Sequence, residues 1–243
     1  MEILEHFVPE KIVPLNLSGI DLSITNAVIS LWIGIAIALL LVFLACRRAK
    51  MVPGLIQNAI EAILQFIQNE MLGGLPPTLQ AQWTPFIFTI FFLILTLNYL
   101  GLVPGTFAVT SNINFTATLA IIVFLTCLFA SFKTKGFFGY FKALVPPGVP
   151  AFVVPIIFPV EIVSQLARPF SLAVRLFANL FAGHTIILVF LSLILMLKSY
   201  LSVLPLMGNV LICGFELFLG LIQAFIFTYL SAMYITEAVS LEH

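Results

Sequence analysis

The chain has 243 residues, 62% of them hydrophobic and only 8% charged, and its 10 basic residues balance 10 acidic ones. A soluble domain of this size needs about a quarter of its residues charged to solvate its surface, so a water-exposed exterior is excluded. With a mean hydropathy of +1.20 and a pI near 6.8, this is a polytopic membrane protein with no basic patch for nucleic acid.

Residues 1–24 are polar and mildly acidic, with Glu2, Glu5, Glu10 and Asp21, and Pro9 and Pro14 interrupt them. An acidic start is unlike a basic targeting peptide, so this stretch is expected to be kept as a short extramembrane segment. Residues 26–46 form an apolar run of about the 20 residues needed to cross a hydrocarbon core of roughly 30 Å. Arg47, Arg48 and Lys50 follow at once. Such a cluster stays on the cytoplasmic or matrix side, which puts the N-terminus outside.

Residues 54–72 mix Leu55, Ile56, Ile60, Ile63, Leu64 and Ile67 with Gln57, Glu61, Gln65, Gln68 and Glu70 at a helical period. The segment is too polar to span and reads as an amphipathic helix on the inner surface. Residues 85–103 span again, with Trp83 and Tyr99 near the ends, where amphipathic rings prefer to sit. An uncharged loop follows, and residues 115–132 return to the side of Lys133, Lys135 and Lys142. Most of the basic residues thus fall in two loops on one side. Pro146, Pro147 and Pro150 then break the chain.

The runs 151–197 and 203–238 are longer than an upright span needs, since 36 helical residues reach about 54 Å. Each is either two short helices or one long tilted helix. The second run has no strong break, and Pro169 alone only kinks the first. The expectation is therefore an all-α protein with five crossing helices and one surface helix. Its last two helices are long, tilted and joined by a hairpin near residues 198–205, and its C-terminus is inside.

The first long run carries the stripe Glu161, Ser164, Arg168, Ser171, Arg175 and Asn179 at spacings of three or four, with His184 slightly off the line. On a helix that spacing draws one polar face. The second carries Asn209, Cys213, Glu216, Gly220, Gln223 and Ser231. For a hairpin centred near residue 200, partners at equal depth have numbers summing to about 400. His184 then falls opposite Glu216, Arg175 opposite Gln223 and Asn179 opposite Gly220. A charged residue at the centre of a span costs about 2.5 to 3.5 kcal/mol on insertion scales, so Glu161, Arg168, Arg175 and Glu216 require a reason. A structural ion pair accounts for one Arg–Glu pair among them, but not for a polar line that continues across the membrane. An ion pathway accounts for the whole line.

Other chemistries find less support. Cys46, Cys127 and Cys213 are isolated and read as small buried hydrophobes. No metal-ligand set, hydrolase signature or phosphate-cradling glycine loop is present, and no cofactor is expected. A serine hydrolase built on Ser171 or Ser164 with His184 is a remote alternative. Ala167, Ser171, Ala178 and Ala182 form a strip of small residues that lets another helix approach, either within the chain or from a separate subunit.

At Ser171-Leu-Ala-Val-Arg-Leu-Phe-Ala-Asn179, continuing through Ala182-Gly-His184 and again at Leu221-Ile-Gln-Ala-Phe-Ile-Phe227, the sequence resembles the a subunit, or subunit 6, of F-type ATP synthases. The resemblance implies that Arg175 faces the carboxylate on a rotating ring of c subunits. It also implies two offset aqueous half-channels. Asn112, Asn114, His184, Glu216 and Gln223 would belong to the outer one, and Glu161, Ser164, Arg168 and Ser171 to the inner one, with Asn179 beside the arginine. The implied partners are the c-ring, b-type peripheral stalk subunits and the rest of the complex, in a bacterial or mitochondrial inner membrane. Nucleotide chemistry would belong to those partners. The rivals are a self-contained secondary transporter binding a charged substrate at Arg175, for which internal repeats are missing, and a membrane scaffold with a structural ion pair.

Overall fold

The computed structural model describes all residues except 1–8, 15, 18, 19, 22, 48–53, 104, 146–149, 151, 198, 199 and 241–243. Glu2, Glu5, Arg48, Lys50, Pro146, Pro147 and the tip of the expected hairpin lie outside the described residues. Near the N-terminus, β1 (Lys11–Val13) pairs antiparallel with β4 (Ile24–Thr25), and β2 (Asn16–Leu17) with β3 (Ile20–Asp21). The chain then continues through α1 (Asn26–Arg47), α2 (Leu55–Phe66), α3 (Pro77–Gly101), α4 (Ile113–Ala143), α5 (Val154–Met196) and α6 (Val203–Val239). Five segments, all but α2, are long and apolar enough to cross a membrane.

The observed helices outrun the apolar stretches because a hydropathy pattern marks only the part that lipid covers. α3 starts at Pro77, ahead of residue 85, since proline fits the first turn, where its missing N–H has no bond to make. α4 starts where the Asn112 side chain accepts the Asn114 backbone N–H at 2.9 Å. It continues past residue 132 to Ala143, broken at Gly136, whose φ of 72° no ordinary side chain adopts readily. α5 is one helix of 43 residues through Pro159 and Pro169, and α6 is one of 37.

The amphipathic α2 is followed by a π-helical turn, Ile67–Met71, and docks its apolar side. Ile67 and Leu72 lose all solvent contact, packing with Ile87 of α3 and Ile235 of α6. The main core joins α3, α4, α5 and α6 through Ile94, Val123, Leu176, Leu180, Ala224 and Phe227. α1 is more peripheral, and its Ala27 and Leu31 pack against Leu97, Phe107 and Val109. The apolar side chains that remain exposed, such as Phe170 and Leu211, are at home in lipid, which solvates them as well as a protein core does.

Candidate functional site

Leu172, Ala173, Leu176 and Leu180 give α5 a ridge that is buried in the core. With successive residues about 100° apart, burying this ridge turns the opposite side of the helix outward. That side carries Ser164, Ala167, Ser171, Arg175, Ala178 and Ala182, all exposed, with Asn179 half-buried at its edge. Among the described residues, Arg175 has no hydrogen-bond or ion-pair partner. Among the described residues no hydrogen bond joins Arg175 to Gln223, which is buried on α6 with its Nε2 unpartnered. Gly220 lies against Asn98 and Tyr99 of α3.

Toward the hairpin, the expected pair forms. His184 Nδ1 lies 3.7 Å from Glu216 Oε1, and both side chains are nearly closed off, at 12% and 3% exposed. This contact needs space at two places. A methyl group at Gly183 would stand 2.6 Å from Glu216 Oε1, and one at Gly101 would stand 3.3 Å from His184 Nε2. One turn further along α6, Asn98 Nδ2 donates to the Gly220 carbonyl at 2.9 Å. Glu216, Gly220 and Gln223 follow one another at helical spacing, so the His184–Glu216 pair, Asn98 and Gln223 make one polar region. Among the described residues, both oxygens of Glu216, His184 Nε2, Asn98 Oδ1 and Gln223 Nε2 lack a hydrogen-bond partner. Buried polar atoms left this way cost roughly 1 to 3 kcal/mol each unless water fills the gap, so the region suits bound water. Of the loop asparagines, Asn112 serves as the cap of α4 and Asn114 is exposed; neither is hydrogen-bonded to the pair.

Beyond Arg175 in the other direction lies a second cluster. Arg168 grips Glu237 with two bonds, Nη1 to Oε2 at 2.6 Å and Nη2 to Oε1 at 3.0 Å. Its guanidinium sits 5.1 Å from the centre of the Tyr234 ring. Lys135 Nζ donates to the Glu237 carbonyl at 3.3 Å, and Tyr140 Oη donates to Gln165 Oε1. These groups border a cavity of about 90 Å³ that Glu161, Ser131 and Cys127 also line. Glu161 and Arg168 therefore meet in one place, whereas Ser164 and Ser171 stay on the outward face with Arg175.

Sequence reasoning passed over Glu237, Asn98 and Gly101. Glu237 reads as the polar end of a span, and its partner lies one and a half turns off the register set by His184 and Glu216. The small residues at 101 and 183 acquire meaning only beside the side chains that fill the space. Along α5, at 1.5 Å per residue, Arg175 stands about 10 Å from Arg168 and about 13 Å from His184.

Comparison with known proteins identifies the family. A family model described as ATP synthase A chain matches residues 28–236. ATP synthase subunit a of Magnetococcus marinus is 40% identical over 246 residues, covering 99% of this chain and 94% of the relative. Subunit a of Rubrobacter xylanophilus is 36% identical, with 95% and 90% covered, and that of Gluconobacter oxydans is 36% identical, with 91% of each covered. By the extent of these matches, the chain belongs to the ATP synthase A chain family.

Proposed function

We propose that this chain is a membrane subunit of the F0 part of an ATP synthase and that it conducts protons past a rotating ring of c subunits. One polar cluster takes protons in from one side of an energy-coupling membrane, bacterial or mitochondrial, and the other releases them on the opposite side. Between them Arg175 meets ring carboxylates one at a time. The observation that carries this reading is that Arg175 is exposed on a small-residue face of α5, without a partner among the described residues, while the buried His184–Glu216 pair lies to one side of it and the partly exposed Arg168–Glu237 pair to the other.

The electrostatics suit the role. A ring carboxylate facing lipid is favoured in its neutral form, since an unpaired charge there is costly. At about 4 Å and an effective dielectric near 20, a guanidinium favours the ionised form by about 4 kcal/mol. Each arriving carboxylate therefore gives up its proton beside Arg175 and regains one after passing it. A fixed cation between the clusters also blocks a proton from slipping directly across. The alanines at 167, 178 and 182 and Ser171 let a ring helix come close enough for that contact. Peripheral-stalk subunits would hold the chain still while the ring turns.

The decisive experiment places Arg175→Ala in the assembled complex at normal stoichiometry and follows ATP-driven acidification together with passive leak. Loss of pumping with assembly intact is expected, and increased leak would mean that the cation also separates the two clusters. Pumping at a near-normal rate would assign Arg175 to structure and overturn the reading.

A further inference from the structure

The break at Gly136 produces a surface that the ion pathway does not use. From Ile113 to Lys135, α4 runs for about 34 Å at 1.5 Å per residue, close to the thickness of a hydrocarbon core of roughly 30 Å. Gly136, with its φ of 72°, thus turns the chain near the boundary between acyl chains and headgroups. The turn that follows is held from within. Leu144 is buried, Tyr140 bonds Gln165 of α5, and the Tyr140 ring lies 4.9 Å from that of Phe132.

Its other side is open. Phe137 is 60% and Phe138 86% exposed, and Phe141 is also exposed. Phe137 packs at 5.6 Å from Phe132 and 5.1 Å from Phe141, so the rings form one patch. Lys133 precedes the patch and Lys142 ends it, one turn beyond Phe138. Both are exposed, and among the described residues neither forms an ion pair. Rings set at the boundary with free ammonium groups beside them match a leaflet that carries anionic headgroups: the rings enter the acyl region and the lysines reach back to phosphate.

We propose that the Phe137, Phe138 and Phe141 patch with Lys133 and Lys142 is a binding surface for anionic phospholipid. The lipid packs its acyl chains against the rings and its phosphate against the lysines, fixing the turn at the membrane surface.

The test uses the assembled complex in nanodiscs of phosphatidylcholine and phosphatidylglycerol carrying Phe138→Trp, with the unsubstituted complex as background. Quenching by brominated phosphatidylglycerol should exceed quenching by brominated phosphatidylcholine at equal mole fraction. The preference should fall roughly five-fold for each of Lys133→Gln and Lys142→Gln, while Lys11→Gln leaves it unchanged. Equal quenching by the two lipids, or a preference that survives both substitutions, overturns the proposal. Absence of quenching by either lipid overturns it too, because the face is then covered by a protein subunit.

Discussion

A guanidinium on the outer face of a membrane helix must find an anion or water, and Arg175 has no anionic partner among the described residues. The opposite holds for Glu216, which is enclosed, touches His184 and keeps unfilled hydrogen-bonding capacity. If that carboxylate passes protons, Glu216→Gln keeps its size and removes the exchangeable charge. ATP-driven acidification should then fall by roughly a hundred-fold with assembly unchanged, and a near-normal rate would make the pair structural. Gly183→Ala probes the same contact by shape. A methyl group 2.6 Å from the carboxylate oxygen forces the side chain off its position, and pumping should drop by up to about ten-fold. An alanine variant that pumps normally would mean that the carboxylate has room to spare.

At the scale of elements, the hairpin of α5 and α6 is held at both ends by different chemistry. Phe190 against Gly208 and His184 against Glu216 keep the register expected from the hairpin, while Arg168 and Glu237 meet beyond it by more than a helical turn. Arg168 and Glu237 are partly exposed, at 27% and 52%, so their attraction is screened despite the two-pronged geometry. A double-mutant cycle with Arg168→Gln and Glu237→Gln should give a coupling of about 0.5 to 1 kcal/mol in the stability of the complex. A value near zero would mean that the contact adds nothing to stability. Asn98 ties α3 to the same hairpin, and Asn98→Ala should cost about 0.6 kcal/mol by the usual worth of a hydrogen bond between membrane helices. Thermal unfolding of the purified complex measures both.

For the whole molecule, the distribution of basic residues predicts the orientation. In a chain with its native cysteines replaced, Lys142→Cys and Ser240→Cys should react with a membrane-impermeant reagent from one side of sealed vesicles, and Asn114→Cys from the other. Labelling of all three from the same side would break this arrangement of crossings. A mixed pattern between α4 and α6 would break it as well, since both helices end on the side of the basic loops.

The sequence by itself determined the class of protein, the number of membrane-crossing helices and the helical spacing of the polar residues, because these depend on local quantities: apolar run length, the 3.6-residue period and the location of charge. It also brought His184 and Glu216 together, since both lie close to the hairpin and a register counted over few residues accumulates little error. Tertiary structure decided which way the stripe points. Burying Leu172, Leu176 and Leu180 against the neighbouring helices rotates Arg175 out of the chain's interior. It also decided that Glu237 closes on Arg168, that Asn112 caps a helix, and that Gly101 and Gly183 matter for the space they leave. Each of these depends on how helices distant in sequence pack, and side-chain volume at a contact is invisible until the contact exists.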